Sequence, residues 1–242
     1  VFVDIDYDFD FDAFVGIWGS EISYFENVGS KSLPTFVQKI GTDNPLESVG
    51  IAGVVTPSFV DIDQDGDMDF FAGEEDGLIN FYENIGTPSQ PEFVVRVGGL
   101  NLFDGVDVGE FATPTFVDID YDGDFDAFIG ERYGKVFYNE NKGDAANPVF
   151  NISAKNPLKI DVGRFSVPSF VDVDNDGDVD AFIGEIQGSV KHYQNIGTAS
   201  QPTFVEKTGS GNPFNGVDVN YFAAPTFVDI DGDGDQDAYI GN

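Results

Sequence analysis

Cysteine is absent from the 242 residues, and histidine, methionine and tryptophan occur once each. Disulfides, thiolate zinc sites and cysteine nucleophiles are thereby excluded, and one imidazole cannot build a multi-histidine transition-metal centre. Basic residues are scarce as well: 11 Lys and Arg stand against 44 Asp and Glu, a formal charge of −33. A phosphate backbone or an anionic membrane surface would be repelled rather than neutralised, so neither nucleic acid nor membrane is an expected partner. No apolar run approaches the ~18 to 20 residues of a membrane-spanning helix, and helical periodicity is missing throughout. No charged-then-apolar leader opens the chain, and Val1-Phe2-Val3-Asp4 reads as the middle of a strand with no initiator Met. The expectation is a processed or trimmed piece of something longer. What remains is ample core material, 41% hydrophobic and 14% aromatic, and oxygen chemistry.

One phrase recurs five times: DIDYDFDFD at 4–12, DIDQDGDMD at 61–69, DIDYDGDFD at 118–126, DVDNDGDVD at 172–180 and DIDGDGDQD at 229–237. The starts are 57, 57, 54 and 57 residues apart, which makes four full periods and the opening of a fifth. The rest of the period repeats too. Pro-Ser/Thr-Phe-Val precedes the motif (Pro57, Pro114, Pro168, Pro225), and a short apolar segment ending in Gly follows it (Gly16, Gly73, Gly130, Gly184, Gly241). A Gly then opens an aromatic segment that ends in Asn, such as GLINFYEN, and a turn such as GTPSQP leads to a further apolar run at Phe93 or Phe204. Four short strands per period, punctuated by Gly, Pro and Asn, predict one antiparallel blade per repeat. Repeats of this length fit an all-β propeller-type array better than a solenoid or a sandwich. The chain is expected to form a single repeat domain over 1–242, with repeats starting near 1, 58, 115, 169 and 226: four complete blades and the first two strands of a fifth.

Within each motif Asp stands at every second position, which in an extended segment would send all carboxylates to one side and the apolar residues to the other. At an effective dielectric of ~20, two such charges ~5 Å apart repel by about 3 kcal/mol. The 11 bases are too few to neutralise 25 motif carboxylates. A hard divalent cation that takes six to eight oxygens would gather them, and calcium suits such a set better than magnesium, which demands a small, strict octahedron. An EF-hand loop also opens D-x-D-x-D-G, but it needs a bidentate Glu at its twelfth position. Here that position is Ala72, Ile129, Ile183 or Ile240, so both the EF-hand and the dockerin patterns fail.

The surviving pattern, D-x-D-x-D-G-x-x-D between Phe-Val and Phe-Ile-Gly, resembles the FG-GAP/VCBS repeats of integrin-like β-propellers, and the resemblance runs along essentially the whole chain. It implies calcium held by the side chains at positions 1, 3, 5 and 9 and by the main-chain carbonyl at position 7, about one ion per repeat and up to five in all. In the second copy those are Asp61, Asp63, Asp65 and Asp69, with Asp67 at position 7. The third has Asp118, Asp120, Asp122 and Asp126 with Asp124, and the fourth Asp172, Asp174, Asp176 and Asp180 with Asp178. The fifth has Asp229, Asp231, Asp233 and Asp237 with Asp235. Gly66, Gly123, Gly177 and Gly234 are expected at positive φ, where the loop curls. The first copy, Asp4, Asp6, Asp8, Asp10 and Asp12, departs by carrying Phe9 at that place, which implies either weaker binding or a distorted loop.

Other chemistry-bearing residues have plainer readings. His192 aligns with Phe81 and Tyr138 and reads as a packing residue; Trp18 reads as a rim or blade-packing residue. Glu74, Glu131 and Glu185 read as loop acids near the ion-binding end, and the segments at 106–109, 160–163 and 217–220 as turns. The functional expectation is a non-enzymatic, extracellular or cell-surface module that serves adhesion or structural scaffolding. Its expected partners are a protein or glycan ligand, or neighbouring copies. The alternative is a lectin-like propeller, supported by loop aromatics such as Trp18 and Tyr133. A polysaccharide lyase on this fold would need an asymmetric acid, base and electrophile in one repeat, and near-identical copies argue against it.

Overall fold

The computed structural model describes residues 1–17, 21–47, 49, 54–150, 158–198 and 201–242. Trp18 and the segment 151–157 lie outside the described residues. The architecture is all-β, as the repeat predicts. The first sheet has the order β1 (Phe2–Val3), β2 (Asp12–Ile17), β3 (Glu21–Asn27), β4 (Phe36–Lys39). The second is β5 (Thr56–Val60), β6 (Asp69–Gly73), β7 (Ile79–Asn84), β8 (Phe93–Arg96). The third has three described strands, β9 (Thr113–Val117), β10 (Asp126–Gly130) and β11 (Val136–Asn139). The fourth is β12 (Val167–Val171), β13 (Asp180–Gly184), β14 (Val190–Asn195), β15 (Phe204–Lys207), and the fifth is β16 (Ala224–Val228) with β17 (Asp237–Gly241). Every pairing is antiparallel between chain neighbours, the meander expected of hairpins joined by short turns. A single bridge, Asn141 to Phe150, stands where β7 and β8 begin their pairing at Asn84 and Phe93.

Four larger sheets are set as propeller blades, with the small fifth sheet between the fourth and the first. Inner-strand residues of every sheet, among them Phe2, Pro57, Pro114, Pro168 and Pro225, line one cavity of about 490 Å³. Adjacent sheets meet through one recurring aromatic pair, second-strand Phe on the next inner-strand Phe. The ring centroids are 4.6 Å apart for Phe14 and Phe59, 4.5 Å for Phe71 and Phe116, 4.4 Å for Phe128 and Phe170, and 4.9 Å for Phe182 and Phe227. The same pair recurs between the last and first sheets, where Tyr239 and Phe2 lie 4.7 Å apart. Squeezed between neighbours, β6, β10 and β13 are buried along their whole length.

Backbone contacts stitch the sheets at the end of the ring away from the Asp motifs. Val108 donates to the Gly77 carbonyl, Phe111 to Glu75 and Ala112 to Glu74, and the same pattern recurs with Val162, Phe165 and Ser166 against Gly134, Arg132 and Glu131. The segments read as turns at 106–109, 160–163 and 217–220 therefore carry the inter-blade contact. Gly77, Gly134 and Gly188 permit it: their φ values are +85°, +85° and +87°, and a Cβ on Gly77 would sit 2.7 Å from the Gly109 nitrogen.

Glu74, Glu131 and Glu185 lie at this far end too, one residue beyond the second strand and away from the motifs that begin it. The expectation that they neighbour the ion-binding end is corrected accordingly. Two of them close the following turn instead: Glu131 accepts from the Tyr133 and Lys135 amides and Glu185 from those of Gln187 and Ser189, while Glu74 accepts from the Asn80 side chain. No described helix is long and apolar enough to cross a membrane.

Candidate metal centre

Each Asp motif joins the first and second strands of its sheet, so all five loops are built on the same hairpin. The loops are not extended. Positive φ at positions 4 and 6 curls them, with Gly66, Gly123, Gly177 and Gly234 between +95° and +100° as expected. Position 4 is also left-handed, at Tyr7, Gln64, Tyr121, Asn175 and Gly232, a feature that only Asn175 and Gly232 hint at in the sequence. Ile5, Ile62, Ile119 and Ile230 at position 2 are buried and pin the loop to the core.

The curl brings the carboxylates of positions 1, 3 and 5 together. In each of Asp4/Asp6/Asp8, Asp61/Asp63/Asp65, Asp118/Asp120/Asp122, Asp172/Asp174/Asp176 and Asp229/Asp231/Asp233, one oxygen per residue lies within 4.8 Å of the others. Backbone amides fix that arrangement. The position-6 amide donates to Oδ2 of position 1, at 3.1 Å for Gly66 to Asp61 and 3.0 Å for Gly123 to Asp118. The position-7 amide donates to Oδ1 of position 5, at 3.2 Å for Asp67 to Asp65 and 3.0 Å for Asp178 to Asp176. Phe9 keeps this geometry. Its amide donates to Asp4 Oδ2 at 3.1 Å, its φ is +76°, and its ring projects into solvent at 83% exposure. The expected distortion of the first loop is absent, and the departure is local backbone strain.

Position 9 is not in these clusters and has a structural role that the spacing did not disclose. Oδ1 of Asp12, Asp69, Asp126 and Asp180 accepts the backbone amide of Asn27, Asn84, Asn141 and Asn195, at 2.7 to 2.8 Å. Each Asn lies fifteen residues on, and its own Oδ1 caps the next turn by accepting two amides, as from Gly86 and Glu92. On the other oxygen, Tyr24 and Tyr138 donate hydroxyls at 3.1 Å to Asp12 and Asp126. In the fourth copy His192 takes the place of Tyr. It is buried, stacked on Phe182 at 4.5 Å, with Nδ1 3.0 Å from the Gly211 carbonyl and Nε2 3.5 Å from Asp180. The packing role read from the sequence accounts for it.

The electrostatics fit a cation. Burial, ahead of all other causes, pushes the carboxyls of Asp12 and Asp126 up to about 7 and that of Asp69 up to about 8. Asp67 rises to about 6 through burial and the charges of Asp65, Asp61 and Asp63. Asp61 Oδ1 and Asp229 Oδ1 at position 1, and Asp67 Oδ1 at position 7, are buried without a hydrogen-bond partner. Unpaired buried carboxylate oxygens are unfavourable unless a cation or proton meets them, and an all-oxygen donor set matches a hard divalent ion.

The family comparison falls on the segment that holds the fourth and fifth loops. Residues 172–240 match the FG-GAP-like repeat family. The resemblance read from DVDNDGDVD and DIDGDGDQD is borne out on those two copies, and the other three loops share their hairpin position and the hydrogen bonds of the position-6 and position-7 amides. No curated protein matches the chain.

Proposed function

We propose that the protein is a calcium-binding, non-enzymatic repeat module of the integrin-like kind, working outside the cell as an adhesion or structural scaffold. One observation carries this reading. The same amide-fixed trio of carboxylates recurs at the same hairpin of all five sheets, which supports cation binding as the repeated polar chemistry of the molecule. The position 1, 3 and 5 side chains would hold Ca²⁺, with positions 7 and 9 completing the loop around it. Bound calcium would remove the repulsion within each loop and lock the hairpin that begins each blade. Free calcium is abundant outside cells, which supports the extracellular setting, and the near-identity of the loops supports a repeated structural role over catalysis.

The test is thermal unfolding in millimolar calcium and again in excess EGTA. A ligand present at a hundred times its dissociation constant stabilises by about 2.7 kcal/mol per site, so the melting temperature should fall by well over about 5 °C on chelation. The adhesive role is tested with beads coated in the protein, which should aggregate in calcium and disperse in EGTA. An unchanged melting temperature overturns the calcium reading, and dispersed beads in calcium overturn adhesion between copies of the chain.

A lectin-like role has one observation in its favour. Tyr133 and Tyr221, at 59% and 68% exposure, stand at the far end beside a ladder of Phe111, Phe165 and Phe222 whose rings lie 5.0 to 5.1 Å apart. Binding on a glycan array that is lost in Tyr133→Ala would favour this role.

A further inference from the structure

Position 4 of the Asp motif stands between the second and third carboxylates of each trio and is not itself a member of the clusters. Its backbone is left-handed in every loop, with φ of +59° at Tyr7, +54° at Gln64, +58° at Tyr121 and +58° at Asn175. Gly232 takes the same turn in the fifth loop at +75°, so the curl itself needs no side chain. Any other residue is strained there, and tyrosine more than asparagine. Strain borne in four of the five loops points to a use for the side chain.

That use is a contact with the loop of the next blade. Gln64 Nε2 donates to the Gly123 carbonyl at 2.7 Å. The peptide group so held is the one whose other end, the Asp124 amide, donates to Asp122 Oδ1 at 3.2 Å. Asp122 is the position-5 member of the third trio. One peptide unit therefore separates the Gln64 side chain from a carboxylate of the neighbouring cluster, and hydrogen bonds in such a chain polarise one another. The two tyrosines face the same way. Burial pushes the Tyr7 phenol up, followed by the charges of Asp61 and Asp67 on the second loop; Tyr121 is raised by burial and then by Asp178 and Asp172 on the fourth.

We propose that the position-4 side chain couples neighbouring ion loops. A cation that fixes the carboxylates on either side of Gln64 also fixes Gln64, and with it the peptide that holds Asp122 in the next loop. This coupling rests on the calcium reading above and adds the regulation of the same sites. Filling one loop raises the affinity of the loop that follows it, and by linkage the second raises the affinity of the first by the same factor. The loops then fill together, over a narrower range of calcium than independent sites would.

The test is a calcium titration of the whole chain followed by amide NMR. The position-6 amides of Gly66, Gly123 and Gly177 report the second, third and fourth loops separately, since each donates to its own position-1 carboxylate. Disabling the second loop with Asp63→Asn should move the Gly123 midpoint to about threefold higher calcium or more, the worth of one hydrogen bond. In a Gln64→Gly background that midpoint should already be raised, and Asp63→Asn should shift it much less. Tyr121→Gly should raise the Gly177 midpoint in the same way. Because glycine relieves the left-handed strain, Gln64→Gly and Tyr121→Gly should melt in EGTA no lower than the unsubstituted chain, which separates a lost coupling from a damaged fold. A Gly123 midpoint indifferent to Asp63→Asn, or shifted equally with and without Gln64, overturns the coupling and leaves the calcium reading standing. Amides that respond to calcium in none of the loops overturn both.

Discussion

At the scale of single residues, the position-9 carboxylates tie the fold to pH. Burial raises Asp12, Asp69 and Asp126 to about 7, 8 and 7, and Asp67 rises to about 6. Their unfolded values are about 4, so the metal-free folded state binds protons more tightly than the unfolded one. The stability this contributes is fully present below about pH 4 and is lost as the pH rises through the folded values. In EGTA the protein should therefore melt at a higher temperature at about pH 5 than at about pH 8. On the proposed reading, calcium would compete with protons at these loops, so the gain from calcium should grow over that interval. A metal-free melting temperature that rises with pH across it contradicts the assignment.

Phe9 offers a second residue-scale test. A side chain at φ +76° is strained by roughly 1 kcal/mol or more, and its ring has no core contact to lose. Phe9→Gly should stabilise the folded chain and tighten calcium at the first loop, read by chemical denaturation and calorimetric titration. A destabilised variant would show that the ring does something the contacts do not reveal. Much of the site was legible at this scale, because Asp at alternate positions with Gly at the sixth is a dense signal. The second role of position 9 was not, since it depends on an Asn fifteen residues away. The constant spacing of Asn27, Asn84, Asn141 and Asn195 behind the first four motifs was its one sequence trace.

At the scale of elements, the strands followed from Pro, Gly and Asn punctuation, whereas the end of the strand to which an acid belongs did not. Glu74 is close to Asp69 in sequence, but β6 carries it to the opposite end, where its carboxylate accepts from the Asn80 side chain. The contact between sheets was equally hidden. Gly77 reads as turn punctuation, yet its backbone is pressed against Gly109 of the next repeat. Gly77→Ala combines a left-handed φ with a Cβ 2.7 Å from the Gly109 nitrogen, and should cost about 2 kcal/mol or more in urea denaturation. Gly66→Ala meets open space at a similar φ and should cost less, through strain alone. Equal losses in the two variants would contradict the stitching role.

At the scale of the molecule, sequence periodicity gave the number of sheets but not their closure. The meeting of Tyr239 with Phe2 joins residues at opposite ends of the sequence, and its only trace is that an aromatic fills both places in every repeat. Charge is the other whole-molecule quantity. The 25 motif carboxylates account for most of the −33, and five divalent ions would bring it to −23, still acidic but with repulsion removed where it is densest. The central claim is that each motif takes one ion, and equilibrium dialysis against calcium tests it most directly. Binding should saturate at close to five calcium ions per chain, one for each carboxylate cluster, and excess magnesium should displace few of them. Saturation at one ion, or no retained calcium, would contradict the account.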